Sequence, residues 1–336
     1  MPAATWNRIL VELNNLQLQD MQRPVPPGAP NSGDRYRRAK IAAVEKVTGR
    51  PLVVYATACT SPGKNVAAQM MMLDFSDKVG FKAVTENIPG PNLDILIHSP
   101  GGFAPAAESI VQQLRGKYSH IRFIVPSFAK SAATMLVMAG DEILMDADAE
   151  LGPIDPQMLT PNGGASPAVA ILEQFQKAQV ELQGDATKLP SWMPILAQYG
   201  PSLLVDCLHA IDLAKDLVKF WTRTFMLRND PEADAKSSKI SEYLSDHKQF
   251  KSHARPIKIP DLVPLGVKVT NLKEDANLSL GIDELYACLD ILLGNSLVCK
   301  IFDTSSGDAL IRQSGMIQAQ MIPAAPVPAA PARPGR

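Results

Sequence analysis

"LDILIHSPGGFAPAAESIVQQL", residues 93–114, decides the fold. "LDILIHS" is a short apolar run without alternation, as expected of a strand buried on both faces. "APAAESIVQQLRGKY" has helical spacing, and Pro and two glycines separate the two segments. Working outward, "IRFIVPS" reads as strand, "SAATMLVMAG" as helix and "EILMD" as strand, with "PLVVYATAC" as an earlier buried strand. This β-α-β-α-β rhythm predicts parallel pairing, right-handed crossovers and helices on both faces of the sheet.

The rest of the chain is organised around that unit. The first segment, residues 1–21, reads as an amphipathic helix, and 22–34 ("QRPVPPGAPNSGD") as a Pro/Gly/Ser linker. "RYRRAKIAAVEKVTG" has helical spacing with Gly49 as its C-cap. In "SPAVAILEQFQKAQVEL", Ser166 is the expected N-cap and Pro167 the first helical residue. A Pro-punctuated stretch, 184–201, leads to a long helix, "SLLVDCLHAIDLAKDLVKFWTRTFMLR". "SHARPIKIPDLVPLGVKV" reads as a turn and a returning strand. The main domain is expected over 35–300, with an extension over 301–336 whose Pro/Ala-rich end, from about residue 320, cannot build a core and is expected to be disordered.

Composition excludes several classes. A formal net charge of −1 over 336 residues provides no electrostatic footprint for nucleic acid or an anionic membrane. The four cysteines show no metal spacing and no disulfide framework. No apolar run is long enough to span a bilayer, and the first segment lacks the continuous apolar stretch of a signal peptide. The expected compartment is the cytoplasm.

Chemistry in open α/β sheets collects at the carboxyl ends of the strands. Gly101 and Gly102 fall there, and without a Cβ they can turn backbone N–H groups toward one point. Two readings stand side by side: an ordinary turn, or an oxyanion hole. Ser131, in "AKSAATM", opens the next helix, as an N-cap or as a nucleophile. Lys130 beside it is expected to be exposed. Successive turns of one parallel sheet bring the glycines and the serine together, so the pair says more than either member.

A serine nucleophile needs a base. No histidine follows shortly after Ser131, so a lysine on an apolar face is sought, since burial lowers a lysine's pKa. Leu204, Leu208, Ile211, Lys215, Val218, Thr222 and Phe225 form one helical stripe, with Lys215 near its middle. Its alternative reading is a lysine that reaches out to solvent or pairs with Asp212. Lys177 has Glu173 and Glu181 one turn away on each side and reads as part of a solvated ion-pair face. His253, in "SHARPI", is a reserve base.

The quoted segments, together with "DADAELGPIDPQ" and "LGV", resemble the Clp-fold serine peptidases related to signal peptide peptidase SppA. Within these, they are most similar to the branch called serine dehydrogenase proteinase, the SDH family. The resemblance covers roughly residues 36–270. It implies a Clp/crotonase-type spiral of ββα units with a parallel sheet. It also implies Ser131 as nucleophile, an oxyanion hole from Gly101 and Gly102, and a Ser-Lys dyad in which "LAKDL" supplies Lys215. The spacing from Ser131 to Lys215 is longer than such relatives lead one to expect; an insertion over the Pro-punctuated stretch after residue 160 would account for it. The implied activity is peptide-bond hydrolysis on a peptide or protein substrate by a homo-oligomer, without metal or organic cofactor and, lacking a Walker motif, without ATP of its own. Two other readings remain: an inactive oligomeric scaffold, and a crotonase-like acyl-CoA enzyme on the same fold.

Overall fold

In the computed structural model, residues 2–23, 26, 29–159 and 164–314 are described. The expected disordered tail lies outside them, as does part of the linker. Five strands carry the parallel core: β1 (Leu52–Thr57), β2 (Asn92–His98), β3 (His120–Val125), β5 (Glu142–Met145) and β9 (Val269–Asn271). Short β4 (Phe128–Ala129) and β6 (Glu150–Leu151) pair with each other beside the sheet, and β7 (Gln157–Leu159) and β8 (Ala165–Pro167) form a hairpin. At the far edge β10 (Val298–Asp303) runs antiparallel to β1, and β11 (Leu310–Gln313) runs antiparallel to β10. The sheet order is β11-β10-β1-β2-β3-β5-β9.

The strands are apolar on both sides because both sides are covered. In β2, Leu93, Ile95 and Ile97 face one cluster, which also holds Tyr55, Phe81, Phe123, Leu136 and Val218. Leu96 faces the other, with Val54, Ile124, Leu144, Leu285 and Leu289. Each fully buried Leu, Ile or Phe of this kind contributes about 1.5–3 kcal/mol. The architecture is therefore the α/β, mostly parallel arrangement expected. Among the described residues, no helix is long and apolar enough to cross a membrane.

Several boundaries differ from the sequence reading. The second helix begins at Ser32, capped by the Asn31 side chain on the Asp34 N–H, so the linker ends before 32 rather than at 34. Gly49 does cap it, at φ 66°. Ser166 lies in β8 and the next helix starts at Ala168, because 165–167 pair with β7. The expected boundary at residue 300 cuts β10, and residues 301–313 include the edge of the central sheet. The first helix, Ala3–Gln22, does not stand apart: Ile9 is buried against Ala287, Cys288 and Ile291, and Trp6 donates from its ring nitrogen to Asp290 at 2.9 Å.

Candidate active site

β2 and β3 are parallel neighbours, so the turns that leave their carboxyl ends are adjacent, and the backbone stitches them together. Ser99 N–H donates to Phe128 O (3.3 Å), and Lys130 N–H returns a bond to Ser99 O (3.1 Å). Gly101 then presses on the serine turn. At φ +87° it sits where a Cβ would lie 2.2 Å from Lys130 O, 2.8 Å from Ser131 Cβ and 2.9 Å from Ala132 N. The expected juxtaposition of glycine pair and serine is thus present, and only a residue without a side chain permits it.

Ser131 has φ 52° and ψ −124°, and the helix Ala132–Met138 follows it. Among the described residues, Lys251 is the one other non-glycine residue at positive φ. The Ser131 hydroxyl caps no N–H of the helix, which removes the plain N-cap reading. Strain held at one residue by its surroundings is a mark of a functional position. The two glycines are not equivalent as donors. Gly101 N–H is taken by the Ser99 hydroxyl at 3.2 Å. Among the described residues neither Gly102 N–H nor Ala132 N–H makes a hydrogen bond, so each is a free donor, one in the glycine turn that packs on Ser131 and one directly after it. Ala132 was not singled out from sequence, although its place directly after the serine was visible there.

The helix Leu203–Trp221 packs by Ala214, Val218 and Trp221 into the same cluster as Ala132, Ala133 and Leu136. Its buried row therefore runs through Cys207, Ala214, Val218 and Trp221, and Leu208 is 50% exposed. Lys215 stands one residue off that row, half-buried, rather than in the middle of the stripe. It makes no hydrogen bond or ion pair among the described residues, with Asp212 or otherwise. Lys177 is 68% exposed and 4.0 Å from Glu181, the solvated pair expected. Lys130 departs from expectation: its side chain lies along Gly152, donates to Leu151 O at 3.1 Å and pairs with Glu150 at 2.6 Å.

His253 has a partner the sequence did not reveal. Its Nδ1 is 2.7 Å from one oxygen of Asp155, whose side chain is 1% exposed. The other oxygen meets His247 Nδ1 at 3.0 Å and accepts from Gln157 Nε2 at 2.9 Å. The cluster is held close to the serine turn by the chain itself. Leu151 bridges Ile257 in antiparallel register, which sets Asp155 beside His253, and Gly152 exchanges bonds with Thr134 of the helix after Ser131. A carboxylate on Nδ1 fixes the imidazole's orientation and leaves Nε2 as the working nitrogen.

A family model described as ClpP-like SDH-type serine proteinase matches residues 67–287. The chain belongs to this family. Both turns of the site and the Asp155 cluster fall inside the matched segment. Two uncharacterized proteins of Methanocaldococcus jannaschii are similar to the chain. One is 30% identical over 184 residues, covering 54% of this chain and 55% of its own; the other is 28% identical over 178, covering 53% and 51%. The chain thus spans about half the length of the curated relatives it matches. A mutant of 1510-N, a membrane-bound stomatin-specific protease, aligns over 60% of this chain and 77% of its own at 15% identity, with a TM-score of 0.37. A likeness that distant bears no weight on function.

Proposed function

We propose that this SDH-type proteinase hydrolyses peptide bonds through an acyl-enzyme on Ser131. The observation that carries the reading is the strained serine packed against Gly101, with an unbonded N–H on Ala132 directly after it and another on Gly102 in the packed turn. Ser131 Oγ attacks the scissile carbonyl carbon as its proton passes to the base, and the N–H groups of Gly102 and Ala132 receive the developing oxyanion. The C–N bond then breaks, and the base hands the proton to the leaving amine. Water repeats the sequence on the ester, releasing the acid and restoring the serine. Lys215, acting in its neutral form, is the proposed base of a Ser-Lys dyad. A second reading assigns the base to His253, favoured by its bond to buried Asp155. Lys177 is too exposed and too close to Glu181 to be preferred. The substrate is a peptide or protein, and the working form is a cytoplasmic homo-oligomer that needs no ATP of its own. Free cysteines at all four positions fit that reducing compartment.

The test is labelling by a fluorophosphonate probe from about pH 6 to about pH 10, with Ser131→Ala, Lys215→Ala and His253→Ala beside the wild type. Labelling of wild type that is lost in Ser131→Ala and Lys215→Ala supports the dyad. Loss in Ser131→Ala and His253→Ala, with Lys215→Ala still labelled, moves the base to the imidazole. A folded wild-type protein that stays unlabelled across the range overturns the hydrolase.

A further inference from the structure

Lys300 and Asp77 are fully buried, and the site as described gives them no task. Lys300 Nζ donates to both oxygens of Asp77 (2.7 and 2.8 Å) and to the carbonyl oxygen of Met72 (2.8 Å), which uses all three of its protons. Tyr55 OH donates to Asp77 at 2.9 Å and holds the carboxylate from β1. A buried ion pair of this kind is a poor source of stability, since apolar residues of similar volume often do as well or better. Its placement is what stands out.

The carbonyl that Lys300 grips belongs to the peptide group joining Met72 to Leu73. The other end of that group, Leu73 N–H, donates to Gly101 O at 2.8 Å. Phe103 N–H closes a second bond on Leu73 O, also 2.8 Å. Gly102 lies so close that a Cβ on it would be 2.3 Å from Leu73 O. Leu73 therefore clamps the glycine turn from both sides. In a trans peptide the C=O and the following N–H point in opposite directions, so fixing Gly101 O on Leu73 aims Gly102 N–H away from Leu73. One line of like-oriented peptide groups runs from the Lys300 ammonium, through Met72–Leu73 and Gly101–Gly102, to the free Gly102 N–H.

We propose that Lys300, seated by Asp77, is a positioning residue for the oxyanion turn. It fixes the direction of Gly102 N–H and, as a charged donor at the head of a hydrogen-bonded chain, strengthens it. Charge-assisted bonds are about twice as strong as neutral ones, and chained amides polarise one another by about 10–30% per bond. The inference rests on Ser131 as nucleophile; Asp77, Leu73 and the glycine turn lie inside the family-matched segment, whereas Lys300 lies beyond residue 287, where that match ends.

The test replaces the network by apolar groups, Lys300→Met/Asp77→Leu/Tyr55→Phe, so that no charge is left buried alone. Fluorophosphonate labelling is resolved into the inactivation rate constant and the half-saturating probe concentration. The expected result is a folded protein whose rate constant falls about 10- to 100-fold while half-saturation stays within about twofold. A folded variant that labels at the wild-type rate constant overturns the proposal. If the triple variant does not fold, the neutral pair Lys300→Gln/Asp77→Asn is read the same way, with an expected loss of about tenfold. A second readout does not depend on catalysis. Gly-Gly junctions occur twice in the chain, at 101–102 and 163–164, so carbonyl-13C,15N-glycine labelling isolates the amides of Gly102 and Gly164. A displaced Gly102 resonance beside an unmoved Gly164 supports positioning; two unmoved resonances refute it. Should the wild type itself fail to label, the reading of Ser131 falls, and the amide spectrum still decides the role of Lys300.

Discussion

Replacing Ser131 by glycine should make the protein more stable while it abolishes labelling. The backbone there, φ 52° and ψ −124°, falls outside the helical left-handed well that Lys251 occupies at φ 58° and ψ −1°. Glycine visits that region freely; a residue with a Cβ pays about 1–3 kcal/mol for it. Against this, glycine loses more freedom on folding than alanine, by about 0.4–1 kcal/mol. Ser131→Ala is therefore the reference, since it removes the hydroxyl and keeps the strain. The Gly variant should exceed the Ala variant by about 1 kcal/mol, seen in urea as a higher midpoint with an unchanged slope, and on heating as a rise of about 1–2 °C. Both variants should be dead to the fluorophosphonate. A Ser131→Gly protein no more stable than Ser131→Ala would refute the idea that the nucleophile is held under backbone strain.

Two further outcomes follow from the same geometry. Gly49 and Gly101 both have positive φ (66° and 87°), but a Cβ at Gly49 meets nothing within 4 Å whereas one at Gly101 meets Lys130 O at 2.2 Å. Gly49→Ala should cost about 1 kcal/mol in urea, and Gly101→Ala about 3 kcal/mol or more with at least about 100-fold slower labelling; equal costs would remove the close-packing argument. His98 is buried between Phe128 and Tyr286, and burial lowers its pKa to about 4 from 6.5. The unfolded chain then binds the proton first, so stability is level above about pH 7 and declines between about pH 6.5 and pH 4, by about 3 kcal/mol from this residue. The difference between wild type and His98→Phe in urea midpoints across that range measures it, and an unchanged pH slope in the variant would exclude His98 as the cause.

The parallel core and the meeting of Gly101 with Ser131 were legible because both depend on local signals. Apolar runs, a Gly pair and short turns place successive strand ends side by side whatever the rest of the chain does. β10 was not legible, because "VCKIFD" carries Lys300 and Asp303. Their charges are met by Asp77 and by Arg37 (2.6 Å), each more than two hundred residues away. The rotation of the Lys215 helix was missed for a related reason. Small Ala214 fits against the helix after Ser131, so close packing outweighs the hydrophobicity of Leu208 in choosing the buried row. The contact of Asp155 with His247 and His253 spans 92 and 98 residues and is made by irregular chain, which has no periodicity to read.

What holds Ser131 in its costly conformation lies mostly outside the serine. Ser99 and Lys130 lock the two turns by backbone bonds. The Thr134 hydroxyl accepts from Gly152 N–H (3.0 Å) and shares its one proton between Ala129 O (2.8 Å) and Gly152 O (3.0 Å), tying the first turn of the helix to β4 and to the residue after β6. Each such bond contributes about 0.5–1.5 kcal/mol net, and several act on one short loop. Together they match or exceed a strain of about 1–3 kcal/mol, so the conformation can persist without help from substrate. The serine is in this sense preorganised: its neighbours set its backbone before any peptide arrives, as Leu73 and Lys300 set the donor opposite. An acyl-transfer site assembled in that way spends little of its binding energy on rearrangement during the reaction.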